Sequence, residues 1–169
     1  MELYPYLGYS PQISSGVYIS PGVKLIGRAF IGENASIWFN SVVRADVNSI
    51  HIGKNTNIQD LCMLHVTEKD ALLIGNQVSL GHSVVLHGCK IGDHCLIGMG
   101  SIILDGAEIG DHCVVAAGSL VAPGKKFAAG SLIKGRPAII ERALTEDELK
   151  QYGNHYKSYL KYKDQYLHS

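Results

Sequence analysis

Aliphatic residues recur every six positions along most of this chain. The spacing begins near residue 13 and continues to residue 121, with short shifts of phase on the way. A period of six fits neither an α-helix, with a period of about 3.6, nor an ordinary strand, with a period of about two. The positions that share this spacing, which we call the anchors, are Ile13, Ile19, Leu25, Ile31, Ile37, Val43, Ile52, Ile58, Leu64, Ile74, Leu80, Leu86, Ile91, Ile97, Ile103, Ile109, Val115 and Val121.

A small or β-branched residue follows most anchors by four positions, so each repeat offers one large and one small inward side chain. Glycine often follows the anchor directly, as in Ile31-Gly32 and Ile109-Gly110, where it can relieve a tight corner. Repeats of this kind stack as triangular coils of three hexapeptides, paired as parallel strands about 4.8 Å apart. The phase shifts fall after positions 43, 64 and 86, where a coil would end. The sequence therefore predicts an all-β parallel solenoid of six coils over residues 13 to about 126.

The C-terminal segment has a different pattern. A Gly-Arg-Pro tripeptide at 135–137 should end the solenoid. Thr145 and Glu148 have the spacing of a capping box, which predicts the start of a helix. Tyrosines then follow at helical spacing and should pack along the side of the solenoid. We therefore expect residues 1–140 to form the solenoid domain and residues 141–169 to form a C-terminal α-helix packed on it.

Charge and hydropathy argue against several classes of partner. Lysine and arginine total 15, as do aspartate and glutamate, so charge gives no reason to expect nucleic acid or an anionic membrane as a partner. No stretch approaches the roughly 20 apolar residues of a membrane span. The N-terminal sequence MELYPYLGYSPQ lacks the basic start and apolar run of a secretory signal. We expect a cytoplasmic protein whose four cysteines are reduced thiols.

Three of the eight histidines occupy related positions on the predicted coils. His65 and His87 each follow the last anchor of a coil, so they should stack on one face with roughly 5 Å between backbones. His82 lies two residues after the second anchor of its coil and should point from another side of the triangle. One chain cannot join all three, but a three-fold trimer can, if the second side of one solenoid packs against the third side of its neighbour. Three histidines and an open fourth position are typical of a catalytic zinc site.

Further polar residues lie in the same two columns. Arg44 precedes His65 by one coil, and Asp60 shares the phase of His82, with Gln59 and Asn57 close by. Such residues are often ordinary solvated side chains, but their convergence with the histidines favours a site. The remaining histidines either repeat a Gly-Asp-His-Cys turn or have no partner at a suggestive spacing. They are His94 and His112 in the first group and His51, His155 and His168 in the second.

Together these residues resemble the γ-class carbonic anhydrase family, and in particular its short bacterial members. The family belongs to the hexapeptide-repeat superfamily, whose coils wind left-handed, so the resemblance implies a left-handed parallel β-helix. The likeness covers nearly the whole chain, including the C-terminal helix. Hexapeptides alone would be a weak indication because many acyltransferases have them, whereas the histidine spacing with its polar neighbours is specific. The motifs are Arg44-Ala45-Asp46, Asn57-Ile58-Gln59-Asp60, His65 and Gly81-His82-Ser83-Val84-Val85-Leu86-His87-Gly88.

The resemblance implies a homotrimer with one metal site at each subunit interface. His65 and His87 of one subunit and His82 of the next would bind zinc, with iron or cobalt as alternatives. Gln59 would hydrogen-bond the metal-bound water or bicarbonate. Tyr159 resembles a tyrosine that reaches toward the site in the short bacterial members.

Three further residues have structural roles by the same resemblance. Arg44 would form ion pairs across the interface, with Asp46 and Asp60 as candidate partners. Asn57 would arrange the polar surroundings of the site. These residues would therefore hold the subunits and the metal ligands in place.

The implied reaction is the reversible hydration of carbon dioxide to bicarbonate by a metal-bound hydroxide, which makes the protein a lyase. Zinc lowers the pKa of its water toward 7, and a proton must leave after each turnover. The chain departs here from the longer members of the family: Val47 stands where they have an acidic residue, and the loop after His65 is short. Glu68 in that loop is a candidate proton carrier. The departures predict either slow proton transfer or another carrier.

Two other functions remain open at this stage. An acyl-CoA thioesterase or acyltransferase is one, because this scaffold also serves CoA-dependent enzymes and an activated water can attack a thioester. A transferase usually needs an unligated histidine as base, and the candidate histidines here are assigned to metal. The other is a non-catalytic trimeric assembly module in which metal only joins the subunits.

Overall fold

The computed structural model describes residues 2–168 and consists of short strands followed by two helices. The strands are β1 (Glu2–Tyr4), β2 (Gln12–Ile13), β3 (Tyr18–Ile19), β4 (Lys24–Ile31), β5 (Ser36–Ile37), β6 (Val42–Ile52), β7 (Asn57–Ile58), β8 (Met63–His65), β9 (Leu72–Ile74), β10 (Ser79–Leu80), β11 (Val85–His87), β12 (Lys90–Ile91), β13 (Leu96–Ile97), β14 (Ile102–Ile103), β15 (Glu108–Ile109), β16 (Val114–Val115), β17 (Leu120–Val121), β18 (Lys126–Phe127), β19 (Ser131–Gly135) and β20 (Ala138–Ala143). The helices are α1 (Glu146–Gly153) and α2 (Tyr156–Leu167).

The strands stack in parallel, and equivalent anchors of successive coils lie opposite each other. On the second side of the triangle, for example, Ile58 pairs with Leu80 and Leu80 with Ile97. This side forms an eight-stranded sheet. The other two sides are joined into one twelve-stranded sheet, because the long strands β4 and β6 continue around a corner. The predicted fold class, a parallel β-helix with a helical C-terminus, is confirmed.

The interior of the solenoid is a single apolar core. Every anchor from Leu25 onward is buried, whereas Ile13 and Ile19 in the first coil are partly buried and pack against the core. The small inward positions, such as Ala29 and Val84, are fully buried as well. Close packing of one large and one small side chain per repeat explains why the six-residue period is so regular.

The solenoid extends beyond the six coils predicted from the anchors. Phe127 pairs with Ile109, and Ile133 pairs with Val115, so a further partial turn follows the sixth coil. The prediction ended too early because Phe127 is aromatic and not aliphatic. The solenoid then ends as expected near 135–137, where β19 and β20 form an antiparallel hairpin.

The predicted C-terminal helical segment is present, and it is divided into two helices at residues 154–155. The helix α1 ends at Gly153, and Asn154 is its C-cap. Gly153 is buried, and its carbonyl accepts a 3.4 Å hydrogen bond from Nδ1 of His94, so the backbone lies directly on the solenoid there. The predicted capping box is present, with both the Thr145 side-chain bond and the reciprocal Glu148 bond. Within the described residues, no helix is long and apolar enough to cross a membrane.

The capping box gives a pH-dependent prediction for α1. The Arg142 guanidinium, followed by the Thr145 backbone N–H, lowers the pKa of Glu148 to about 2 from its usual 4.5. A depressed carboxyl pKa means that its contribution to helix stability is complete above pH 4.5 and is lost as the pH falls toward 2. We expect the protection factors of the α1 amides, after correction for the intrinsic pH dependence of exchange, to fall over this window in the wild type. Glu148→Gln should remove that pH dependence, and an unchanged profile in the variant would contradict the assignment.

Candidate metal centre

The third side of the solenoid carries a column of outward residues at the ends of its strands. Ile26 pairs with Arg44, Arg44 with His65, and His65 with His87, in three successive parallel registers. Each of these residues directly follows a buried anchor, so its side chain points out of the coil. The parallel stacking therefore places the two histidines one above the other, as the sequence predicted.

The rings of His65 and His87 face each other at hydrogen-bonding distance. Nδ1 of His65 lies 3.0 Å from Nε2 of His87, and the ring centroids are 5.0 Å apart with a tilt of 53°. Both side chains are partly buried, with exposed fractions of 15% and 33%. Two imidazole nitrogens thus converge on one point at the surface.

The second ring nitrogen of each histidine contacts a carboxylate. Nε2 of His65 lies 3.0 Å from Oδ1 of Asp46, and Nδ1 of His87 contacts Oδ1 of Asp105. Carboxylates in this position fix the tautomer and orientation of metal-binding imidazoles in proteins. The arrangement leaves Nδ1 of His65 and Nε2 of His87 as the converging pair.

The Asp46 carboxylate contacts several groups besides His65. It contacts the Arg44 guanidinium and accepts a 2.9 Å hydrogen bond from the backbone N–H of Val47. Burial alone would raise the pKa of Asp46, but the bonds from His65, Val47 and Arg44 outweigh it and hold the pKa below the usual value. Asp46 is therefore an anion that links Arg44 to His65 within one chain.

The third histidine lies at a different corner, next to its own carboxylate. Nδ1 of His82 lies 2.8 Å from Oδ2 of Asp60, with 45% and 33% of the two side chains exposed. Successive coils are joined at this corner by backbone hydrogen bonds. The Ser83 amide donates to the Asp60 carbonyl, and the Gly100 amide donates to the His82 carbonyl. Within residues 2–168 of one chain, no group of three or more His, Cys, Asp or Glu side chains is arranged to hold a metal ion.

The second side carries the predicted polar residues Asn57 and Gln59, and both are buried. Only 1% of Asn57 and 4% of Gln59 is exposed, unlike ordinary solvated side chains. Nε2 of Gln59 donates to Oδ1 of Asn57 at 3.2 Å, and Nδ2 of Asn57 donates to Oγ of Ser79 at 2.8 Å. These buried amides are held in place by hydrogen bonds to each other and to Ser79.

Tyr159 and Glu68 occupy contrasting positions. Tyr159 on α2 is half-buried and packs edge-on against Trp38, and burial followed by the nearby charge of Asp60 raises its pKa to about 12. It therefore stays protonated and lies near the carboxylate that contacts His82. Glu68 is exposed in the loop after His65, and Nδ2 of Asn48 donates to its backbone carbonyl at 3.2 Å. Across residues 2–168 its carboxylate makes no hydrogen bond or ion pair with His65 or His87.

Sequence reasoning missed Asp105, Ser79 and His155 in these contacts. Asp105 partners His87, and Ser79 lies between Asn57 and Nδ1 of His155, at 2.8 Å and 3.1 Å. Each belongs to a different coil or element from its partner, so chain spacing alone gave no direct signal for it.

Comparison with known proteins agrees with this architecture. The model of the family "Bacterial transferase hexapeptide (six repeats)" matches residues 72–104 and 88–123. A carbonic anhydrase of Geobacillus kaustophilus is 46% identical over 149 residues, covering 88% of this chain and 82% of that protein. The mitochondrial γ carbonic anhydrase 2 of Arabidopsis thaliana is 39% identical, covering 89% of this chain and 56% of that protein. A hexapeptide transferase family protein from Anaplasma phagocytophilum superposes with a TM-score of 0.94 at 39% identity, over 98% of both chains.

The chain is a hexapeptide solenoid with paired histidines at its surface. Carbonic anhydrases match it over most of its length. The chain belongs to the γ-class carbonic anhydrase family.

Proposed function

We propose that this chain is a metal-dependent carbonic anhydrase that hydrates carbon dioxide reversibly to bicarbonate at sites shared between the subunits of a homotrimer. The observation that carries the proposal is the pair of converging imidazoles, each backed by an aspartate, with a third aspartate-backed histidine on another side. Relatives named carbonic anhydrase, at 46% and 39% identity, support the reaction.

The donor set fits zinc, with iron or cobalt as alternatives. Two nitrogens bound tetrahedrally to zinc at roughly 2.0–2.1 Å would lie about 3.3 Å apart. The nitrogens of His65 and His87 are 3.0 Å apart, so a small outward movement would accommodate the ion. His82 of a neighbouring subunit would supply the third nitrogen, since Asp60 occupies its Nδ1 and leaves Nε2 available. Three neutral imidazoles with one open position are the ligand set of catalytic zinc sites.

The residues of this chain have separable tasks in the reaction. The bound metal would supply a Lewis acid that lowers the pKa of a water molecule. The carboxylates of Asp46, Asp60 and Asp105 hold the outer N–H of each imidazole and so keep the opposite nitrogen deprotonated. Gln59 orients reactants through its amide. Arg44 remains partly exposed beside Asp46. It would also pair with a carboxylate of the adjoining subunit.

Proton release is the step of the reaction for which this chain offers the fewest positioned side chains. Val47 is exposed and apolar, and Glu68 stands free in solvent near the start of the loop. An exposed carboxylate can pass protons to buffer, but no contact positions the Glu68 carboxylate next to His65 or His87. We therefore propose a modest turnover that depends on buffer concentration.

The direct test is stopped-flow carbon dioxide hydration on metal-quantified protein, with His65→Ala as the blank. Hydration that rises with metal content and is absent in the variant supports the proposal. Full metal occupancy without hydration, with zinc and with iron, would contradict it. An acyl-CoA thioesterase or acyltransferase is the second candidate, because the structurally similar Anaplasma protein is named a hexapeptide transferase family protein. Release of free thiol from acyl-CoA by the same samples would favour it.

Asp105→Asn tests the role of the carboxylates. Asparagine keeps the shape but loses the charge that stabilises the Nδ1–H of His87, so metal affinity should fall by roughly 10–100-fold. The measurement is competition for zinc against a chelator. Glu108→Gln is a matched control, because Glu108 is an exposed carboxylate that pairs with Lys126 and should leave affinity unchanged. Equal affinity in the two variants would contradict the assigned role of Asp105.

A further inference from the structure

A buried chain of hydrogen bonds connects Gln59 to the break between the two C-terminal helices. It runs from Nε2 of Gln59 to Oδ1 of Asn57 at 3.2 Å, from Nδ2 of Asn57 to Oγ of Ser79 at 2.8 Å, and from Ser79 to Nδ1 of His155 at 3.1 Å. The exposed fractions of Asn57 and Ser79 are both 1%. Buried polar groups are costly unless they are paired, so such a chain keeps one arrangement.

The helix break holds His155 at a fixed height over the solenoid. On one side of it, the Gly153 carbonyl accepts a 3.4 Å hydrogen bond from Nδ1 of His94. On the other side, Nε2 of Gln77 donates to the Tyr156 hydroxyl at 2.9 Å. His155 is thus bracketed by two anchored neighbours, and its ring stands 5.9 Å from that of Tyr159, one helical turn further on.

The direction of the bonds follows from which atoms can donate. The second N–H of the Asn57 amide points toward the Val78 carbonyl at 3.4 Å, so Nδ2 faces Ser79 and Oδ1 faces Gln59. Ser79 Oγ then accepts from Asn57 and must give its own proton to another acceptor. Nδ1 of a neutral His155 is that acceptor, and burial lowers the pKa of His155, which favours the neutral ring.

We propose that His155 is a positioning residue that fixes the polarity of the Gln59 amide, so that the carbonyl oxygen Oε1 is presented to the reactants. Because Nε2 of Gln59 donates to Asn57, the amide is held with its carbonyl oxygen Oε1, which is its only acceptor, turned away from Asn57 and available at the site. Were Nδ1 of His155 to donate instead, the Ser79 proton would turn toward Asn57, and only the long 3.4 Å bond to the Val78 carbonyl would oppose a flip of both amides. After such a flip Gln59 would present its N–H group. The proposal rests on the proposed carbonic anhydrase function for its catalytic consequence.

Two variants separate hydrogen-bond acceptance from packing. His155→Leu fills the space without an acceptor, whereas His155→Asn places Oδ1 where Nδ1 stands. We expect kcat for carbon dioxide hydration to fall roughly tenfold in the leucine variant and to recover to within about threefold of wild type in the asparagine variant. Metal content and trimer mass should not change. A leucine variant with wild-type kcat, or an asparagine variant as slow as leucine, would overturn the proposal.

Imidazole nitrogen NMR gives a readout that does not depend on activity. Long-range proton–nitrogen spectra of the wild type should show His155 protonated at Nε2 and accepting at Nδ1. Ser79→Ala should shift the Nδ1 resonance by removing the donor. A wild-type His155 protonated at Nδ1 would overturn the proposal even if the enzyme is active. If the wild type lacks hydration, the proposed function fails, and the tautomer alone then decides the bond direction.

Discussion

His82→Ala should abolish metal binding as completely as His65→Ala. In a single chain His65 and His87 already converge, with nitrogens 3.0 Å apart, whereas His82 contacts Asp60 at a different corner. If the metal belonged to one chain, removing His82 would leave its site nearly intact. If the site is shared between subunits, each metal needs His82 of the neighbour, and two imidazoles alone bind zinc weakly. Metal analysis after dialysis against a weak chelator measures the difference.

His112→Ala is the matched control for this result. His112 is also a corner histidine, but it stacks on His94 at 4.6 Å and has no carboxylate contact in the described chain. The control should retain its metal. Stoichiometric metal in His82→Ala would contradict a site shared between subunits.

Gly53→Ala should destabilise the solenoid strongly. A Cβ at Gly53 would lie 2.3 Å from the carbonyl oxygen of Gly75 and 2.7 Å from the backbone nitrogen of Asn76 in the next coil. Both obstacles are backbone atoms that take part in coil stacking, so they cannot move aside locally. We expect a loss of about 3 kcal/mol or more in the free energy of unfolding, at the upper end for overpacked interiors. Urea denaturation at constant protein concentration measures it.

Gly118→Ala separates crowding from backbone conformation. Gly118 has a φ of +70°, and an added Cβ would meet nothing within 4 Å. The substitution should cost only about 1 kcal/mol, the usual strain of an L-residue in the left-handed region. Equal losses at the two positions would show that coil-to-coil contact at Gly53 is not the limiting factor.

The period of six was sufficient to predict the solenoid. Large and small inward residues repeat at fixed phase because every coil presents the same three sides to one core, and the anchors from Leu25 onward are buried as predicted. The same phase placed His65 over His87 and put His82 on another side. These relations follow from register within a repeat, which a sequence displays directly.

Asp105 could not be found in the same way. Two residues separate Ile103 from Gly106, but only one separates Leu86 from Gly88, and the Gly106 amide donates to the Gly88 carbonyl. This change in corner length brings Asp105 beside His87, although it lies one position later in its own repeat. Simple counting from the anchor assigns the two residues to different columns.

The helical break was hidden for a different reason. The tyrosines from 152 to 162 keep a helical spacing, and Asn154 does not by itself end a helix. The interruption comes from contacts with the solenoid, where buried Gly153 approaches His94 and His112 and where His155 meets Ser79. Tertiary contacts of this kind have no periodic signature in the sequence.

Subunit mixing tests the shared site most directly. His65→Ala chains retain His82, and His82→Ala chains retain His65 and His87, so a trimer containing both kinds has one interface with a complete ligand set. Random exchange of equal amounts should restore about a quarter of the wild-type metal and hydration activity, although each variant alone has neither. That recovery is the result we predict. Mixed trimers, verified by mass, that regain neither metal nor activity would contradict a catalytic site built by two subunits.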